Sequence, residues 1–139
     1  MKILVFGHSG QVATELRALD GHDVQIRALA RADADLTDPN ACAAAINARA
    51  PDAVINAAAY TAVDKAESDA ETAQIINADA PAAMARACAA RDIPFVTIST
   101  DYVSSGEGYT PWVPADTTCL LYTSPSPRDL STSRMPSSA

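Results

Sequence analysis

A doubly wound α/β fold on a parallel sheet is predicted for this chain by three observations. Short apolar runs end in turn residues, segments of helical period lie between them, and a glycine turn joins the first run to the first helix. The 139 residues, 48% of them hydrophobic, suffice for one core and one domain. A formal charge of −7 opposes a nucleic-acid partner, which needs clustered Lys and Arg against phosphates. Cys42, Cys88 and Cys119 are odd in number and lack paired spacing, so neither a disulfide framework nor a metal site is expected. The expected compartment is the cytoplasm. The run Ile3 to Phe6 is too short for a signal-peptide core, and no later stretch reaches membrane-spanning length, so no export and no membrane partner are expected.

The elements follow in order. Lys2 to Phe6 is a continuous apolar run stopped by Gly7, as expected of a strand covered on both faces. Gln11 to Leu19 sets Val12, Leu16 and Leu19 at helical spacing, and Asp20-Gly21 ends that helix before a strand at Val24 to Leu29. Thr37-Asp38-Pro39 supplies a cap and a first-turn proline for a helix carrying Ala41 to Arg49. Pro51-Asp52 then leads into a strand at Ala53 to Asn56. Ser68 to Ala90 is alanine-rich, with Ile75, Ile76 and Met84 on one side, and Pro81 within it must start a new turn or kink the old one. Phe95 to Ser99 is the last strand. Right-handed crossovers and the order 3-2-1-4 would make the first and fourth strands neighbours. After Thr118 the composition turns abruptly to Ser, Thr and Pro without apolar period. The expected organisation is therefore an incomplete nucleotide-binding domain over 1–118, truncated after about four strands, followed by a disordered tail over 119–139.

The chemistry collects at the strand ends. "GHSGQVA" leaves the first strand and opens the first helix, so backbone N–H groups of Gly7, Ser9, Gly10, Gln11 and Val12 can face a pyrophosphate. Within a β-α-β-α-β run, this pattern points to a Rossmann-type dinucleotide site. Ala13 stands where a third glycine often packs helix on strand, and His8 is read as an exposed loop residue. The second strand ends in Ala30-Arg31 without the acid that would hold an adenosine ribose, which tilts the balance from NADH toward NADPH. A merely solvated Arg31 is nearly as good a reading. Asp35-Leu36 either reaches the adenine edge or is plain loop. Asn56-Ala57-Ala58-Ala59 either forms a shelf of small side chains for a flat cofactor or marks tight packing. In the order 3-2-1-4, Ser99, Thr100, Asp101 and Tyr102 would border the nicotinamide and hydrogen-bond a carbonyl substrate.

Taken together, "ILVFGHSGQVATEL", "DLTDP", "PDAVINAAAYTAVDKAESD", "INADAP" and "TISTDYV" resemble the dTDP-4-dehydrorhamnose reductase family of the extended short-chain dehydrogenase/reductase superfamily, over Met1 to about Thr118. The resemblance implies NADPH or NADH delivering hydride to the C4 keto group of dTDP-4-dehydro-L-rhamnose, giving dTDP-L-rhamnose. It implies a cofactor loop at Gly7, Gly10, Gln11 and Val12, an adenosine half at Asp35, Leu36, Ala59 and Tyr60, a catalytic hydroxyl at Thr100 and a substrate contact at Asp101. Tyr102 is implied to pack near the nicotinamide, and bound Mg²⁺ and a homodimer are found in parts of the family.

Two departures from the family stand out. Ser104-Ser105-Gly106 follows "STDYV" where the family usually has Phe and Asp before Gly, which removes an aromatic contact. The Tyr-x-x-x-Lys pair that donates the proton and holds the ribose is missing, because the only lysines are Lys2 and Lys65 and neither lies four residues after a tyrosine. This chain is therefore expected to be inactive while the longer protein it comes from is a reductase. The alternatives are a non-catalytic, cofactor-binding regulatory subunit and a related sugar-nucleotide reductase or epimerase. The tail itself, "CLLYTSPSPRD" with "SRMPSSA" downstream, resembles a translation of transposon-end adapter DNA from sequencing libraries.

Overall fold

The structure, a computed structural model, describes residues 1–62, 65, 68–99, 111 and 113. Its elements are β1 (Lys2–Phe6), α1 (Gln11–Ala18), β2 (Gln25–Leu29), α2 (Pro39–Arg49), β3 (Ala53–Asn56), α3 (Ala70–Gln74), a π turn (Ile75–Asp79), α4 (Ala80–Ala89) and β4 (Phe95–Thr97). The expected alternation of strand and helix is present, and every strand pairing is parallel. The predicted tail and the boundary at 118 lie outside the described residues.

The strand order corrects the sequence-based expectation. It is β2-β1-β3-β4, so β1 lies between β2 and β3, and β4 pairs with β3 rather than β1. Residues 30–38 form turns, with Ala30 N–H donating to Asp33 Oδ2 at 2.9 Å and the Asp33 and Ala34 amides returning to the Ala30 carbonyl, and Ala53 to Asn56 then pair with Ile3 to Phe6 on the edge of β1 that β2 leaves open. The chain therefore enters α2 directly from β2 and crosses back over β1. Since the β1-to-β2 and β2-to-β3 crossovers run in opposite directions, right-handedness places α1 and α2 on opposite faces. The strand order reverses between β1 and β3.

On the α2 face, Leu4 and Phe6 of β1 meet Leu29, Cys42, Ile46, Val54, Met84 and Cys88 in one buried cluster. Each large apolar side chain withdrawn from water there contributes about 1.5–3 kcal/mol. Helices α2 and α4 meet through small residues, among them Ala45, Ala80 and Ala87. On the other face Val5 and Ala13 are fully buried. The spacing of Val12, Leu16 and Leu19 does not mark the buried side of α1, for Val12 is 44% and Leu19 67% exposed. Leu19 is the C-cap residue, past the last full turn, and the small Ala13 is what seats the helix on the sheet.

Pro81 accounts for the irregular helix. It has no N–H for the carbonyl of Asn77, and just before it the chain widens into the π turn, with the Ala80 amide reaching back five residues to Ile75. The helix therefore continues through the proline without a break, though in a different register. β4 ends at Thr97, earlier than the predicted Ser99, with a last amide bond from Ile98 to Asn56 at 3.3 Å.

The cap read from Thr37-Asp38-Pro39 is in place, with the proline in the first turn as expected. Asp38 Oδ1 accepts from the amides of Asn40 and Ala41, both at 3.0 Å, and Pro39 fills the first helical turn. Asp38→Ala should lower stability by about 1 kcal/mol while Asp38→Asn changes it little. Urea midpoints of the two variants check this, and equal midpoints would contradict the role of the cap.

Candidate functional site

The strand ends place the site. Gly7 leaves β1 with φ +113°, a conformation that L side chains rarely adopt. A Cβ there would stand 3.3 Å from both the carbonyl carbon and the oxygen of Ala57. Two bonds fix this closeness: Gly7 N–H donates to the Leu29 carbonyl at 3.1 Å, and Ala57 N–H to the Phe6 carbonyl at 2.9 Å. The exits of β2, β1 and β3 are thereby fastened side by side at the reversal of strand order, where open α/β sheets bind their ligands.

From Gly7 the chain rises through exposed His8, Ser9 and Gly10 into α1. Gly10 is an extended N-cap, no side chain caps the helix, and its first turn holds no acid. A Cβ on Gly10 would meet nothing within 4 Å. Backbone donors and the positive end of the helix dipole thus face open space, and the first turn, including Gln11 and Val12, offers an anion a seat with no competing carboxylate. A dinucleotide pyrophosphate fits this donor set. Arg17 Nη1 donates to the His8 carbonyl at 3.3 Å and steadies the turn from the helix side.

After β2, Arg31 Nε donates to Asp35 Oδ2 at 2.9 Å, and Asp35 Oδ1 accepts from Thr37 N–H at 2.9 Å. The Thr37 amide first, and then the Arg31 guanidinium, hold the Asp35 carboxyl below its ordinary value. Arg31 remains largely exposed. Leu36 is a member of the buried cluster, so its side chain is spent on the core.

After β3, the buried Asn56 donates from Nδ2 to Thr97 Oγ1 at 3.3 Å and accepts the Ala58 amide at 3.2 Å. Ala58 is half-buried and Ala59 exposed. Tyr60 is held by Asn77, whose Oδ1 accepts the Tyr60 amide at 2.7 Å and whose Nδ2 donates to the Tyr60 carbonyl at 3.1 Å. Sequence reasoning missed both asparagines. The signal available for Asn77 was a lone amide between apolar residues in "INADAP".

The structure thus brings the Gly7 turn and the Ala57–Ala58 segment into contact and keeps Arg31 and Asp35 together after the adjacent strand. Thr100, Asp101 and Tyr102 lie outside the described residues. The expected adjacency of β1 and β4 does not occur, because β3 separates them. A cavity of about 510 Å³ lies elsewhere, lined by Lys2, Gln25, Arg49 and Pro51 among others at the strand starts, and contains none of the predicted site residues. Burial pushes the Cys42 thiol up to about 11 and raises that of Cys88 too, so neither is a thiolate nucleophile at neutral pH. Among the described residues no group of three or more His, Cys, Asp or Glu is placed to hold a metal.

A glycine turn feeding an open helix start at a strand-order reversal defines the class: a Rossmann-type α/β domain. Within that class the chain belongs to the family described as the RmlD substrate binding domain, which it matches over residues 1–122, and with it to the dTDP-4-dehydrorhamnose reductases. It is 44% identical over 119 residues to the dTDP-4-dehydrorhamnose reductase of Burkholderia thailandensis, covering 86% of this chain and 40% of that protein. The Salmonella typhimurium reductase is 40% identical over 131 residues, with 87% and 42% covered. Among solved structures, a Clostridium acetobutylicum dTDP-4-dehydrorhamnose reductase superposes with TM-score 0.77 at 39% identity, covering 85% of this chain and 42% of that one. The Bacillus anthracis reductase, solved in complex with NADP, gives 0.70 at 29% identity, covering 76% and 38%. The chain therefore spans about 40% of the length of the curated relatives it matches.

The two glycines should respond unequally to alanine. Gly7→Ala meets backbone at 3.3 Å in a left-handed conformation and should cost about 1–3 kcal/mol. Gly10→Ala meets nothing but puts alanine at a helix N-cap, where it is poorer than glycine, and should cost only about 0.5 kcal/mol. Thermal unfolding of both variants decides it. Asp35 predicts a pH dependence. Its lowered folded value means that its stabilising contribution is complete above the ordinary value of 3.8 and is lost as pH falls through the lower folded value. Asp35→Asn should be less stable than the unmodified chain at pH 7 and should lose less stability on acidification. Parallel curves of stability against pH for the two proteins would contradict this.

Proposed function

We propose that the chain is the cofactor-binding portion of an NAD(P)H-dependent dTDP-4-dehydrorhamnose reductase, which reduces the C4 keto group of dTDP-4-dehydro-L-rhamnose to give dTDP-L-rhamnose. The observation that carries this reading is the uncapped, acid-free start of α1, open beside the Gly7–Ala57 contact. NADP in the B. anthracis relative supports it. The dinucleotide supplies the hydride when bound. Ser9, Gly10, Gln11 and Val12 hold its pyrophosphate by backbone donors, while Gly7, whose N–H is spent on the Leu29 carbonyl, supplies the tight turn that lets the phosphates approach. Ala58, Ala59 and Tyr60 lie beside its adenosine half, and Thr100, Asp101 and Tyr102 serve the reacting end, Thr100 as the catalytic hydroxyl. The binding domain extends over 1–118, and residues 119–139 are no part of it. For the whole protein, a nucleotide-sugar substrate, a homodimer and bound Mg²⁺ belong to the same reading, in the cytoplasm.

NADPH is preferred over NADH in this proposal. Arg31 spends its Nε on Asp35, which leaves its Nη groups to meet a 2′-phosphate beyond a strand, β2, that itself ends without an acid. The chain by itself does not turn over. Lys2 starts β1 at the opposite edge of the sheet, tied to Asp52 at 2.7 Å through its backbone amide, and so cannot lower the pKa of a tyrosine at the strand ends.

Calorimetric titration with NADPH and NADH, with absorbance at 340 nm followed in the presence of the dTDP-ketosugar, tests these statements. NADPH should bind more tightly than NADH, Arg31→Ala should weaken NADPH binding about tenfold and erase the preference, and no NADPH should be consumed. Failure to bind either dinucleotide would sink the reading, turnover would overturn the inactivity of the chain, and an unchanged preference in the Arg31 variant would remove that residue's role.

A further inference from the structure

We propose that Asn77 is a positioning residue, whose side-chain amide, aimed by the π turn, sets the height of the Ala57–Tyr60 segment on which the dinucleotide rests. The inference rests on the dinucleotide-binding reading. Both ends of this segment are fixed, and by different means. At its start the Ala57 amide bonds the Phe6 carbonyl at 2.9 Å and the Ala58 amide bonds Asn56 Oδ1 at 3.2 Å, both anchors belonging to the sheet. At its end the anchor is a helical residue instead. There the Asn77 carboxamide takes both peptide groups of Tyr60, accepting the amide at 2.7 Å and donating to the carbonyl at 3.1 Å. A carboxamide is the one side-chain group that offers a peptide a donor and an acceptor at once in the plane of a backbone pair. The segment is therefore paired as an added strand would pair it, using one residue.

The π turn gives the amide its direction. Asn77 is the central residue of Ile75–Asp79, and a turn that accommodates an additional residue aims its side chain differently from an α-turn in the same sequence. Pro81 withholds the amide that would otherwise close an α-turn onto the Asn77 carbonyl. A further bond, Tyr60 phenol to Asp69 Oδ2 at 3.3 Å, joins the same loop to the start of α3. Ala59, between the two anchored ends, is exposed and offers a methyl group and bare backbone to a flat ligand.

The test uses the full chain with Asn77→Ala and Asn77→Asp, the latter keeping the acceptor for the Tyr60 amide while losing the donor. Three quantities are measured: hydrogen exchange at the Tyr60 amide, the affinity for NADPH by calorimetry, and the unfolding midpoint without ligand. Asn77→Ala should release the Tyr60 amide to exchange and weaken NADPH binding about tenfold, with Asn77→Asp intermediate in both. A purely structural role would lower the midpoint yet leave the affinity of the folded protein unchanged, and that result in either variant overturns the proposal. If the unmodified chain binds no dinucleotide, the underlying reading fails and takes this role with it, an outcome distinct from equal binding by all three proteins.

Discussion

The contact between the Gly7 turn and the backbone of Ala57 is the constraint on which the carboxyl edge of this sheet depends. A Cβ on Gly7 would crowd the Ala57 backbone at 3.3 Å, and the positive φ with which the chain leaves β1 is available cheaply only to glycine. Were the exits further apart, the amide bonds from Gly7 to Leu29 and from Ala57 to Phe6 could not both form. The start of α1 would then no longer stand over the seam between β1 and β3. A single missing methyl group therefore fixes both the geometry of the sheet and the direction in which the helix dipole points.

Electrostatics at this edge follow a consistent division. The chain is acidic overall, yet carboxylates are absent from the first turn of α1, and the nearby carboxylates of the β2 exit are occupied with their own loop. Asp33 accepts the Ala30 amide and Asp35 the Thr37 amide and Arg31. Negative charge that would repel a phosphate is tied into turns, and the one exposed cation of that loop is left with free donors. An acidic protein can thus keep a site suited to a phosphorylated ligand by spending its nearest carboxylates on backbone N–H groups.

Much of the fold was legible because its signals are local. Apolar runs, Asp38-Pro39 and the Gly7 turn each act within a few residues, and each element they predict is present. Strand order was not legible, since nothing local says which edge of the sheet the strand at Ala53 to Asn56 will join, and its partners are the distant Ile3 to Phe6. The buried side of α1 was misread for a related reason. Periodicity weights large apolar residues, whereas the contact is made by Ala13, and Leu19 falls at the cap where the helix has ended. At the site, the glycines announced themselves by type and position. Asn77 did not, because its partner is seventeen residues away and its aim depends on a helix register that no period of 3.6 anticipates.

The central position of β1 carries a consequence for how the chain is made. Lys2 and Asp52, bonded to each other at 2.7 Å, are separated by fifty positions, so during synthesis β1, made before β2 and β3, can join β2 early but must wait for β3 on its other side. Parallel pairing at such separation is slow, because loop closure precedes any gain from the contact. During that interval one edge of β1 lies unpaired beside its apolar run, and vectorial synthesis makes this the moment at which a nascent chain of this design most needs a chaperone.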